Sequence, residues 1–193
     1  VRLAPLKLGP SVNIALAIAL TVPMGPMIYQ TAFAPLAKAS VLVLLIAAFG
    51  VHFALLGMGL AFFGPEGIGT APLISKSFEL GELVVTGQSI VVLITTLVML
   101  VLFALFFERT LLGKALRACS SNRLGARLVG IPTMLAGQVA FALAAALGAV
   151  SGVLIGPLQT VYYDSGFLIG LMAFVAAILG GLVSFPLTVA ASI

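Results

Sequence analysis

Five stretches of the chain contain no Asp, Glu, Lys or Arg: residues 8–37, 39–65, 83–107, 128–163 and 165–193. A helix rises 1.5 Å per residue and needs roughly 20 residues to cross a hydrocarbon core of about 30 Å. Each stretch is therefore long enough to span a bilayer. Hydrophobic residues make up 62% of the 193 positions and charged residues 7%. The mean hydropathy of +1.32 lies far above that of soluble domains. The expected fold is all-α: a polytopic transmembrane helical bundle of about five spans, over roughly 12–33, 41–63, 88–107, 132–155 and 167–183. Residues 1–193 form a single transmembrane domain. Because the chain opens on Val1 and stops at Ile193 within an apolar stretch, it is expected to be an interior piece, incomplete at both ends. Arg2 and Lys7 are not followed by a short apolar run with a small-residue cleavage site, so a signal peptide is not expected.

Several chemistries are excluded. The spans leave no room for a soluble catalytic domain of ordinary size. One cysteine, Cys119, and one histidine, His52, cannot make an internal disulfide or a zinc site. The nearest approach to a phosphate-binding loop, Leu112-Gly113-Lys114-Ala115, lacks the first glycine and the hydroxyl residue. The chain is thus not expected to hydrolyse ATP or to be an enzyme, and no metal, cofactor or nucleic-acid partner is expected. No acid lies within the apolar cores, which argues against proton coupling.

Charge placement sets the orientation. Residues 108–131 carry Arg109, Lys114, Arg117, Arg123 and Arg127 against the single acid Glu108, and such a short basic loop is expected to be cytoplasmic. Lys38 then also faces inside, while residues 64–86, 156–166 and the first residues face outside. The 64–86 stretch, GPEGIGTAPLISKSFELGELVVT, reads as an exposed loop with β-like runs at Leu73–Ile74 and Leu83–Val85. Asp164 is placed to cap the helix that follows it.

Within the spans, Pro23, Gly25 and Pro26 predict a kink that faces the bundle. Small residues recur every four positions along the fourth span, at Ala136, Ala140, Ala144, Gly148, Gly152 and Gly156, a stripe suited to close helix packing. The fifth span is short before Gly180-Gly181 and Pro186. It reads either as a short spanning helix or as a half-helix that turns back. His52 is a titratable group at mid-span depth, open to a substrate role or to simple packing.

The basic segment carries the most information. Ser121 and Asn122 are candidate helix caps, RLGARLV makes two turns, and Gly130-Ile131-Pro132 ends them. Leu124 and Leu128 share one face, Arg123 and Arg127 another. Such a helix suits either anionic headgroups or a groove on a cytoplasmic partner.

The run from Leu111 to Gly181, LLGKALRACSSNRLGARLVGIPTMLAGQVAFALAAALGAVSGVLIGPLQTVYYDSGFLIGLMAFVAAILGG, resembles the permease subunits of branched-chain amino acid ABC transporters of the LivH/LivM type. The basic loop, the small-residue helix and the Gly-Gly ending occur in the family's order at nearly its spacing. The resemblance implies a pore-forming subunit in the cytoplasmic (inner) membrane. Its implied partners are a second, similar permease, two ATP-binding-cassette subunits that hydrolyse ATP, an external substrate-binding protein and membrane lipid. It also implies that Gly113 to Ile131 seats on an ATPase, through Gly113, Arg117, Asn122, Arg123, Ala126, Arg127, Leu128, Gly130 and Ile131. Leu124 stands where the family often has an acid, and Met172 where it has lysine; Val183 and Leu187 replace glycines. Ala144, Gly148, Gly152 and Gly156 are expected to pack helices, and His52, Phe174, Gly180 and Gly181 to border the substrate path. Other substrates, such as urea, amides or sugars, and a non-transporting membrane scaffold are the competing readings.

Overall fold

The computed structural model describes residues 9–74, 77–80 and 83–180. Among them four helices are long and apolar enough to cross a membrane, each coinciding with an expected span. The first, α1 (Pro10–Ile28), continues as a π-helical turn over Tyr29–Phe33; the second is α2 (Val41–Phe63). A hairpin of β1 (Ser77–Leu80) and β2 (Leu83–Thr86) leads into α3 (Gly87–Arg109). Two short helices follow, α4 (Leu111–Ser121) and α5 (Arg123–Leu128), then α6 (Thr133–Ile155) and α7 (Ser165–Leu179).

The main packing contact is α1 on α6. Pro10 opens α1, where its missing N–H costs nothing. Pro23 and Pro26 lie inside the helix and withdraw the donors that would meet the carbonyls of Ala19 and Val22. Pro23 is exposed and Pro26 half-buried, while Gly25 between them is buried. A Cβ at Gly25 would press on the Phe141 carbonyl and sit 3.0 Å from Ala145 Cβ, so the helices meet there backbone to backbone. One turn on, the register widens and the Ala34 N–H donates to the Tyr29 carbonyl at 2.7 Å. That turn lays the buried Tyr29 ring over Gly137, with Tyr29 and Phe33 against Phe141 at centroid separations of 5.3 and 4.9 Å.

The row on α6 that meets α1 is therefore Gly137, Phe141 and Ala145, not the expected stripe. The two rows are one residue apart, about 100° round the helix. Ala140, Ala144, Gly148 and Gly152 are exposed, and a Cβ at Gly148 or Gly152 would meet nothing within 4 Å. Gly156 alone of the stripe is buried, beneath Thr70.

At the end of the helices that holds the 64–74 loop, backbone bonds join it to the α6–α7 connection. Ile68 and Val161 exchange N–H to O bonds at 2.8 and 3.0 Å, and Thr70 N–H donates to the Gly156 carbonyl at 3.4 Å. Gln88, the most buried large side chain among the described residues, ties these parts together. Its Oε1 accepts from Leu73 N–H and its Nε2 donates to the Leu154 carbonyl, both at 3.1 Å. Of the two expected β-like runs, Leu83–Val85 lies in β2, which pairs with Ser77–Leu80; Leu73–Ile74 is not a strand.

Helix α7 has 15 residues and a rise of about 22 Å, short of a hydrocarbon core. The rest of the expected fifth span falls at the turn of Gly180 and in residues 181–193, outside the described residues, as do Gly181, Val183 and Leu187. Asp164 occupies the N-cap position of α7, yet its side chain makes no capping bond. Ser165 Oγ instead accepts from Tyr162 N–H at 2.9 Å and ties off the preceding turn.

Candidate coupling surface

Segment 108–131 is built from two caps and a glycine stop. Thr110 ends α3 and starts α4: its Oγ1 donates to the Phe106 carbonyl at 2.6 Å and accepts from Gly113 N–H at 3.0 Å. Gly113 is buried where α4 turns beneath α3, and a Cβ there would run into the Phe106 carbonyl and lie 2.6 Å from Phe107 Cα. Ala115, Leu116, Ala118 and Cys119 are half-buried on the inner side of α4; Lys114, Arg117, Ser120 and Ser121 are exposed.

Asn122 breaks the chain into α5. Its backbone leaves the helical region at φ −150°, and its Oδ1 accepts from Gly125 N–H at 2.9 Å, a side-chain N-cap. Ser121, the other candidate cap, is the last residue of α4. The far end closes with Gly130 at φ +81°. Ile131 N–H reaches the Ala126 carbonyl at 2.9 Å and Gly130 N–H the Arg127 carbonyl at 3.1 Å. This pair of bonds is a Schellman stop, which needs a left-handed residue and so favours glycine.

The caps hold α5 in one rotational setting. Ala126 is buried, while Leu124, Leu128 and Val129 are 71%, 82% and 75% exposed. The arginines are exposed too, but their guanidinium groups are engaged. Arg123 Nη1 donates to the Ala37 carbonyl at 3.2 Å, and Arg127 Nε to Thr133 Oγ1 at 3.0 Å. The apolar face of α5 is thus presented outward, and its basic residues bind the α1–α2 turn and the first residue of α6. Sequence reading missed Thr133, buried, whose only signal is its place directly after Ile131-Pro132.

The residues expected along a substrate path are only partly assembled. His52 of α2 is half-buried and stacks on Phe167 at the start of α7, with ring centroids 5.0 Å apart. Phe174 is exposed almost two turns further along α7, and Gly180 is buried at its end. No group of three or more metal-ligating side chains exists among the described residues.

Residues 3–193 match the family described as branched-chain amino acid transport system / permease component. The chain belongs to that family. It is 32% identical over 178 residues to the high-affinity branched-chain amino acid transport system permease protein BraD of Pseudomonas aeruginosa, covering 89% of this chain and 58% of that one. It is 31% identical over 177 residues to the corresponding LivH protein of Escherichia coli K12, covering 88% and 57%. A Salmonella typhimurium LivH protein is 31% identical over 169 residues, covering 84% and 54%. The chain therefore spans a little over half the length of these relatives. No solved structure matches it significantly. Family and fold agree: the chain belongs to a family of transport permease components, and four of its described helices are long and apolar enough to cross a membrane.

Proposed function

We propose that the chain is a membrane-spanning subunit of an ABC importer that moves branched-chain or related amino acids across the cytoplasmic membrane. ATP hydrolysis takes place in two separate cassette subunits, and a second, similar permease and an external binding protein complete the assembly. The observation that carries this reading is the setting of α5: Leu124, Leu128 and Val129 face outward while Arg123 and Arg127 hold the chain's own elements. Arg123 and Arg127 are exposed as well, but each commits a guanidinium N–H to the chain's own elements, whereas the leucines stand outward, as they do in a helix that seats in a groove. Membership in a family of branched-chain amino acid permease components supports the substrate class.

In this mechanism a rocking ATPase moves α5 as a unit. The Arg127–Thr133 bond passes that motion to α6, and the Arg123–Ala37 bond passes it to the turn below α1. Because α1 and α6 are packed at Gly25 and Gly137, they move together and alternate the open side of a path bordered by His52, Phe174, Gly180 and Gly181. The exposed strip of Ala144, Gly148 and Gly152 is where the second permease closes in. The test is reconstitution of the natural complex in vesicles with its binding protein. ATP-dependent uptake of leucine, isoleucine or valine is expected; uptake of urea or a sugar in their place would reassign the substrate, and no ATP-dependent uptake of any of them would refute the transport role.

A further inference from the structure

The end of α1 is held at two places on two different elements, and the π-helical turn of Tyr29–Phe33 lies between them. Upstream, Gly25 closes on the Phe141 carbonyl and the Tyr29 ring covers Gly137, so this part of α1 is fixed to α6. Downstream, the Ala37 carbonyl accepts from Arg123 Nη1 at 3.2 Å. Among the described residues this is the only hydrogen bond that joins the 34–40 turn to α5 or α6. The upstream hold is buried, whereas the downstream one is a single exposed bond and the easier to break. Between the two, the Ala34 N–H passes over the Gln30 carbonyl, its α-helical acceptor, and donates to the Tyr29 carbonyl at 2.7 Å. Pro35 follows with no N–H to carry the helix on. Any rotation of the turn is therefore delivered to residues 36–40 and to the start of α2. That helix is exposed over most of its length and bears His52, which stacks on Phe167.

We propose that the Tyr29–Phe33 turn is a register switch, wide while Arg123 holds Ala37 and closing to α geometry when α5 swings away. The transport reading above supplies only the force on α5. Arg127 fastens the last turn of α5 to Thr133, and Arg123 stands four residues, about 6 Å, away at its first turn. A pivot of α5 about Thr133 thus carries Arg123 off Ala37. Small motions pass through the Arg123–Ala37 bond, and a larger swing parts it. The Ala34 N–H then moves to the Gln30 carbonyl, and the Phe33 N–H takes the Tyr29 carbonyl, so each donor keeps an acceptor. Closing the turn by one residue rotates the chain beyond it by about 100° and displaces a side chain at the helix surface by about 8 Å. Gly25 and Tyr29 stay in place because the change begins after them. The switch moves the inner end of α2 while α1 remains packed on α6, a one-step helix shift of the kind that makes small inputs discrete.

The test is the distance between spin labels at Lys38→Cys and Met134→Cys, both exposed at the inner ends of the helices, in a Cys119→Ser background. It is read by electron paramagnetic resonance on the purified full chain, and again with the cassette subunits and ATP. Arg123→Ala is expected to shift this distance by about 5 Å or more in the chain alone, and ATP to produce the same shift in the complex with Arg123 present. Deletion of Gln30, an exposed residue of the wide turn, leaves an α-helix whose flanks keep their places. The deletion should therefore hold the resting distance with Arg123→Ala or with ATP, and should lower uptake about tenfold, while Gln30→Ala keeps both the shift and the uptake. An Arg123→Ala chain at the resting distance would overturn the switch. So would an equal shift in the deletion, which would place the motion outside the turn, or uptake by the deletion equal to that of Gln30→Ala. If the deletion does not fold, the Arg123→Ala and ATP measurements decide. Distances that behave as stated in a complex that takes up no amino acid would refute the transport reading and leave the switch standing.

Discussion

Replacing Gly25 with alanine is expected to loosen the α1–α6 contact, and the size of the effect follows from what the new methyl meets. It would press on the Phe141 carbonyl oxygen, lie 2.7 Å from the carbonyl carbon and 3.0 Å from Ala145 Cβ. Backbone cannot swing aside as a side chain can, so α1 itself must retreat. Overpacking of this kind costs about 1–3 kcal/mol, while alanine in place of glycine inside a helix returns up to about 1 kcal/mol through propensity. Gly148→Ala on α6 serves as the reference, because its Cβ meets nothing within 4 Å. Propensity favours both changes alike, so the gap between the two variants isolates packing and should be about 1–3 kcal/mol. The assay is unfolding of the purified protein in mixed micelles by rising SDS fraction. At Gly137 the obstacle is the Tyr29 ring rather than backbone, so Gly137→Ala should be rescued by Tyr29→Ala, whereas Gly25→Ala should not. If Gly25→Ala and Gly148→Ala unfold alike within about 0.5 kcal/mol, the close crossing at Gly25 is wrong.

Gln88→Leu should destabilise the fold by about 1–3 kcal/mol, because it leaves Leu73 N–H and the Leu154 carbonyl without their partner; faster proteolytic nicking within 64–74 would report the loosened loop. Gln88→Glu should behave similarly, since the carboxylate cannot donate to Leu154. Leu124→Cys in a Cys119→Ser background places a thiol on the exposed face of α5, and a membrane-impermeant maleimide should label it only after the cells are opened. Labelling in intact cells would reverse the orientation. Arg127→Ala should slow transport while leaving membrane insertion intact, through loss of the bond to Thr133, and Arg127→Lys should restore little because lysine has a methylene where the Nε that makes this bond stands.

The spans were legible because charge is so costly in hydrocarbon that five charge-free runs leave little choice of architecture. Segment 108–131 was legible for a different reason: Asn122 and Gly130 have local conformational preferences that act whatever surrounds them. The face of α6 that meets α1 was not. In a helix this rich in alanine and glycine, rows spaced by four exist on several sides, and only the position of the partner helix picks one. The row chosen is the one holding Gly137 and Ala145, because the Tyr29 ring needs the room that Gly137 leaves and Gly25 of α1 lets the Phe141 backbone come close. Gln88 was hidden because a lone glutamine near a helix start carries no pattern; its importance arises from Leu73 and Leu154, which are distant in sequence. The π turn at Tyr29–Phe33 follows two helix-interior prolines, yet their sequence indicates a disturbance without specifying its form.

Coupling through α5 is tested most directly by association of the purified chain with its cassette ATPase subunits. Leu128 is 82% exposed in the free chain, and burying a leucine stabilises by about 1.5–3 kcal/mol, so Leu128→Asp should weaken association by tenfold or more. Leu73→Asp makes the same chemical change on the loop at the opposite end, where Leu73 is 45% exposed, and should leave association unchanged. Loss of ATPase binding in Leu128→Asp with retention in Leu73→Asp is the predicted result. Equal binding by Leu128→Asp and the wild-type chain, or equal loss in both variants, would contradict the coupling role.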